Sequence, residues 1–89
     1  MIAVHILVSG RVQGVSFRVN AQKQANRLGL DGWVRNIPNG SVEIHAEGPD
    51  ASVEEFIEWC RVGPSKSFVK DVKVKMVSVE GGPRGFYKF

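Results

Sequence analysis

The chain has 89 residues, enough for one small domain and too few for two cores, and its 43% hydrophobic content suffices to fill a single core. Its apolar runs fall well short of the roughly 20 residues needed to cross a bilayer, and Met1-Ile2-Ala3-Val4-His5 lacks the basic region of an export signal, so a cytoplasmic protein without membrane association is expected. Twelve Lys and Arg against nine Asp and Glu give a formal charge of +3 that favours anionic ligands without the footprint of a nucleic-acid binder, and one cysteine, Cys60, excludes an internal disulfide.

Ile2 to Ser9 alternates Ile2, Val4, Ile6 and Val8 against Ala3, His5, Leu7 and Ser9, the period of a strand with a buried face. Gly10-Arg11-Val12-Gln13-Gly14-Val15 follows as a glycine loop, after which Ala21, Ala25 and Leu28 recur at helical spacing until Gly29 supplies a left-handed cap. Trp33 to Asn36 and Ser41 to Glu47 read as strands joined through Pro38-Asn39-Gly40, where Asn-Gly predicts the positive backbone angles of a tight hairpin. Ser52 and Glu55 have capping-box spacing at the start of a second helix, whose apolar face is Val53, Phe56, Ile57 and Cys60 and which stops at Gly63-Pro64. Phe68 to Val79, with valine alternating with lysine over Val72-Lys73-Val74-Lys75, predicts a long strand with one solvated face, and Phe86-Tyr87-Lys88-Phe89 a short final one.

The order β-α-β-β-α-β, plus a short fifth strand, is the split βαβ pattern of ferredoxin-like folds: an α+β two-layer sandwich with two helices on one face of an antiparallel sheet. No repeat or long linker divides residues 1–89, so a single domain is expected, with a monomer as its default state. The same architecture carries enzymes, metal carriers and RNA-binding modules, so function has to come from the loop.

A glycine-rich turn between strand and helix leaves backbone N–H groups unpaired and convergent, and the helix N-terminus adds partial positive charge, a combination suited to an oxyanion. Gly10 to Phe17 occupies that place. Arg18 follows in the first helical turn, where a cation conflicts mildly with the helix dipole unless an anion is bound, and its guanidinium matches two oxygens of a tetrahedral phosphate.

Gly10-Arg11-Val12-Gln13-Gly14-Val15-Ser16-Phe17-Arg18, followed in order by Leu28-Gly29-Leu30-Asp31-Gly32-Trp33-Val34-Arg35-Asn36, resembles the acylphosphatase family. Asn39-Gly40-Ser41-Val42-Glu43 and Glu47-Gly48-Pro49 extend the resemblance to the hairpin and the approach to the second helix. It implies that the backbone amides of Gly10, Arg11, Val12, Gln13, Gly14, Val15 and Ser16, together with the Arg18 side chain, bind phosphate while Asn36 orients water. The family often has an aromatic residue where Ser16 stands.

The implied chemistry suits this residue set. An acyl phosphate is a mixed anhydride whose departing carboxylate, judged by carboxyl pKa values of about 4, needs little protonation, so neither acid nor metal nor other cofactor is required. Charge neutralisation by Arg18 and loop amides plus an aligned water meet the main needs of phosphoryl transfer, and inorganic phosphate, as product, is expected to compete.

Other candidates have plainer readings. His5 and His45 lack further ligands at metal-site spacing and are expected to be structural, and Cys60 lies on an apolar helix face as an inert thiol. Trp33 and Trp59 are expected in the core, while Lys70, Lys73 and Lys75 guard a strand edge. The rival, an RNA- or protein-binding ferredoxin-like module, calls for aromatic stacking positions interleaved with basic residues, where the first and fourth strands carry mainly aliphatics.

Overall fold

Strand periodicity decides what each strand buries, and the computed structural model, which describes residues 1–89, follows it closely. Its elements are β1 (Ile2–Arg11), α1 (Phe17–Arg27), β2 (Asp31–Asn36), β3 (Val42–Gly48), α2 (Asp50–Val62), β4 (Phe68–Val77) and β5 (Phe86–Lys88). They build one sheet in the order β4-β1-β3-β2-β5, antiparallel throughout except that β5 joins β2 in parallel. No helix is long and apolar enough to cross a membrane.

In register, Val4 faces Ala46, Ile6 faces Ile44 and Val8 faces Val42, while Val34 faces Ile44 from the other side. These side chains share one face of the sheet, where Phe17, Ala21 and Ala25 of α1 and Val53, Phe56 and Cys60 of α2 close over them. Each large apolar side chain so buried contributes about 1.5–3 kcal/mol of transfer free energy. Trp59 joins this layer as expected, its ring centroid 5.3 Å from Phe17 and 6.1 Å from Phe56. Cys60 is fully buried and desolvation pushes its thiol upward, which matches an inert core residue.

Trp33 does not enter the core. Because Val34 takes the helix-covered face of β2, its neighbour points to the other face, stacking on His45 at 6.2 Å with the Arg35 guanidinium 5.4 Å from its ring. On that open face His5 Nε2 donates to Glu43 at 2.8 Å and His45 Nε2 to Glu47 at 3.0 Å, so both histidines have carboxylate partners. Burial opposes charge on Glu47, but N–H groups of Glu80 and Gly81 and the His45 side chain outweigh it and hold the carboxyl below its ordinary range.

Glu43 is held below its ordinary value of 4.5 chiefly by the hydrogen bond from His5, against some desolvation, with Arg35 adding to the effect. A depressed folded-state pKa stabilises above the unfolded value and loses that contribution as pH falls through the folded one. Glu43→Gln is therefore expected to lower the urea midpoint at neutral pH and to converge on the parent as pH drops well below 4.5. Urea titrations of both proteins across that range check this; a constant gap would contradict it.

Three local expectations are corrected. The second helix begins at Asp50 behind Pro49, with no side-chain cap bond, so Ser52 and Glu55 lie inside it and form no capping box; the Asp50 carboxylate in the first turn answers the dipole instead. The expected hairpin forms, but the positive backbone angle falls on Gly40 alone (φ +91) and not on Asn39, and Gly40 N–H donates to Ile37 O and Ile37 N–H to Ser41 O. Pro38 and Gly40 thus serve a three-residue loop with a terminal bulge, and Asn39 Oδ1 accepts from Ser41 N–H. Finally, β1 runs two residues past Ser9, and β4 ends at Val77 rather than Val79.

The first helix ends as expected. Gly29 has φ +72, its N–H donates to Asn26 O and the Leu30 N–H to Ala25 O, the paired bonds of a Schellman motif. Lys73 and Lys75 are exposed on β4, an edge strand, consistent with protection against edge pairing. Residues 78–85 connect β4 to β5, which stand at opposite edges of the sheet, and this strap is tied down where Glu80 N–H donates to Glu47 at 2.6 Å and Gly85 N–H to Asp31 at 2.7 Å.

Candidate active site

The end of β1 and the start of α1 create the site. A register shift between Ser9 and Gly10 bends β1, and Gly10 (φ +121) runs so close to β4 that a Cβ there would collide with the Phe68 carbonyl oxygen. Past this bulge the chain turns through Gly14 (φ +73) and Ser16 (φ 63) into the helix. No backbone N–H from Gln13 to Ser16 donates to a backbone acceptor, and the first helical turn, whose only closing bond is Asn20 N–H to Ser16 O, leaves its own donors open. No acidic residue offsets that positive end.

Beside it lies a groove of about 310 Å³ lined by Val12, Gly14, Ser16, Phe17, Arg18, Val19 and Asn36. Arg18 and Asn36, 18 residues apart in sequence by their numbers, therefore meet at one opening. Arg18 Nη1 donates to the backbone oxygen of Phe89, which steadies the guanidinium from the side of β5. Asn36 closes β2 on the helix-covered side, and its Oδ1 is the one buried side-chain polar atom with no hydrogen-bond partner. A buried acceptor left bare costs about 1–3 kcal/mol, an expense that a site binding a hydrogen-bond donor would recover.

The loop residues named in the sequence divide into two groups. Val12, Gly14 and Ser16 reach the groove; Gly10, Arg11, Gln13 and Val15 are not among its walls. Gly10 and Arg11 are paired with β4, and Val15 packs against the core. Gln13 turns its side chain away to donate to both Ile37 O and Ser41 O at 2.9 Å, binding the loop to the hairpin that follows Asn36. Phe17 stands inside the sequence motif without having been given a role there, whereas Val19 and the Phe89 oxygen are additions that no local motif announces, because each depends on how α1 and β5 pack.

Ser16 is the sole non-glycine residue with positive φ and forms no side-chain cap bond to α1. The left-handed region costs an L-residue roughly 1–2 kcal/mol, partly offset in glycine by its larger unfolded-state entropy. Ser16→Gly is expected to raise stability by about 0.5–1 kcal/mol; a urea midpoint at or below that of the parent would show the strain to be relieved by other means.

Comparison with known proteins agrees with this geometry. The Acylphosphatase family model matches residues 4–87. The acylphosphatase of Rubrobacter xylanophilus is 48% identical over 83 residues, covering 93% of this chain and 76% of that protein, and the acylphosphatase of Trichormus variabilis is 50% identical over 86 residues, covering 97% and 84%. The crystal structure of acylphosphatase from Bacillus subtilis superposes with a TM-score of 0.95 at 42% identity, covering 100% of this chain and 99% of that one. With the family model spanning nearly the whole chain and relatives this close, the chain belongs to the acylphosphatase family.

Proposed function

We propose that this chain hydrolyses the carboxyl-phosphate bond of acyl phosphates, releasing a carboxylate and inorganic phosphate, by direct attack of water on phosphorus. The phosphoryl oxygens lie against the open N–H groups of the loop and the start of α1 and against the Arg18 guanidinium, so charge is met by donors already fixed in place. Asn36 accepts a hydrogen bond from the attacking water through Oδ1. Asparagine is no general base, so the proton passes to a phosphoryl oxygen of the substrate or to solvent while the carboxylate departs unprotonated.

The observation that carries this reading is that Asn36, whose side-chain Oδ1 has no hydrogen-bond partner, lines the same groove as Arg18. An acceptor there suits water better than a phosphate, whose oxygens would repel it, while the cation and amides suit the phosphate. The roles within this groove require no metal or other cofactor. We further place the chain in the cytoplasm as a single-domain monomer.

The test is hydrolysis of benzoyl phosphate by chelator-treated protein. Turnover unchanged by chelator and competitively inhibited by inorganic phosphate is expected. A folded chain that binds phosphate but turns over no acyl phosphate would leave an anion-binding module, and one that does neither would overturn the whole assignment.

A further inference from the structure

On the open face of the sheet, opposite the helix-covered side, a second set of chemically able groups has no part in phosphoryl transfer. His45 and Glu47 stand two apart on β3 and so point the same way, and the strap brings Glu80 down onto them. His45 Nε2 lies 3.0 Å from Glu47 Oε1 and 3.8 Å from Glu80 Oε1, and one ligand atom from each of the three falls within 4.8 Å of the others. We propose that His45, Glu47 and Glu80 form a binding site for a divalent ion of the zinc class, which cross-links the 78–85 strap to β3.

The donor set fits such an ion: one imidazole nitrogen and two carboxylates suit borderline divalent metals, whose bonds to nitrogen and oxygen of about 2.0–2.2 Å put neighbouring ligand atoms roughly 3.3 Å apart in tetrahedral geometry. The observed spacings bracket that value. His45 and Glu47 are buried and held still, the ring by its stack on Trp33 and the carboxylate by the Glu80 N–H. Glu80 has a side chain 71% exposed, so it can swing inward to complete the set. Beside them a groove of about 210 Å³, which also includes Asp31, Trp33 and Tyr87 in its walls, leaves room for water as a further ligand.

Electrostatics favour the same occupant. Three carboxylates, Asp31, Glu47 and Glu80, border this groove in a chain of formal charge +3, and only His45 among the lining residues can offset them. On binding, the metal takes the place of the hydrogen between His45 Nε2 and Glu47 Oε1: the neutral imidazole shifts to its Nδ1–H tautomer, one proton leaving Nε2 for solvent as another from solvent reaches Nδ1, and the freed Nε2 lone pair goes to the ion. The site is on the opposite sheet face from Val34 and the core, so its three ligands take no part in the proposed hydrolysis.

Calorimetric titration of chelator-treated protein with zinc tests this. One ion per chain is expected, together with a rise in Tm. Glu80→Gln, a substitution at an exposed position, should weaken binding at least tenfold with folding intact by circular dichroism, and His45→Gln should do the same, while His5→Gln, at the other histidine-carboxylate pair, should leave affinity unchanged. Absence of saturable binding at millimolar zinc, binding indifferent to both Glu80→Gln and His45→Gln, or binding lost in His5→Gln would each overturn the proposal.

Discussion

Arg18→Ala is expected to lower kcat/KM for benzoyl phosphate by about 10³-fold or more, with folding stability changed by less than about 1 kcal/mol. The two effects separate because they come from different partners. In the unliganded protein the guanidinium sits in the first turn of α1, beside open backbone donors and without an acidic neighbour in that turn, so its charge is mildly unfavourable to the helix. Its bond to the Phe89 oxygen returns about as much. With a phosphoryl group bound, the same cation faces charge that it neutralises at two oxygens, and no other arginine or lysine lines the groove to take over. Affinity for inorganic phosphate should fall alongside turnover. Arg18→Lys retains the charge but loses the planar fork, and should recover only part of the rate. Steady-state kinetics with phosphate inhibition constants decide this: an Arg18→Ala protein within tenfold of the parent would remove the side chain from the site.

The layers of the fold were legible because they rest on local periods. Val4, Ile6 and Val8 announce a buried strand face whatever packs on it, and Ala21, Ala25, Val53, Phe56 and Cys60 mark the helix stripes that do so. What escaped depends on neighbours distant in sequence. The capping-box spacing of Ser52 and Glu55 is compatible with a helix start at either place, and Pro49, following β3 directly, moves it to Asp50. Trp33 looks like core material by composition, yet the register of Val34 against Ile44 turns it outward, where Trp33 meets His45. Likewise, nothing near His45 in sequence suggests a third ligand, since Glu80 lies 33 positions beyond Glu47 and reaches it only through the strap.

The site was legible to different depths at its two ends. A glycine turn leading to an arginine in a first helical turn is physically suggestive by itself, and the structure adds that its donors are unspent. Asn36, in contrast, looks like an ordinary strand-end asparagine; only resemblance singled it out. Its burial and its bare oxygen are products of the sheet, of the hairpin beyond it and of the Gln13 bonds that hold that hairpin to the loop. Gln13 serves both halves of the site: its backbone N–H has no backbone acceptor, while its side chain positions the hairpin that follows Asn36.

Asn36→Ala is expected to reduce kcat by about 10²–10³-fold while leaving KM and the phosphate inhibition constant within about threefold. Water, not phosphate, is the partner assigned to Oδ1, so the loss falls on the attacking step and not on capture of the substrate. Stability should move the other way or hardly at all, because the substitution deletes a buried acceptor that no protein donor satisfies; relief of up to about 1 kcal/mol is expected once the packing lost with the longer side chain is set against it. Asn36→Asp keeps an oxygen in place but brings a negative charge to an anion site, so KM and the phosphate inhibition constant should rise as well. This contrast discriminates the assigned role from that of a strand-end residue, whose replacement would cost stability and spare kcat. If Asn36→Ala retained kcat within threefold, the bare oxygen would have to be explained without the attacking water, and the proposed route to phosphorus would lose the group that aims it.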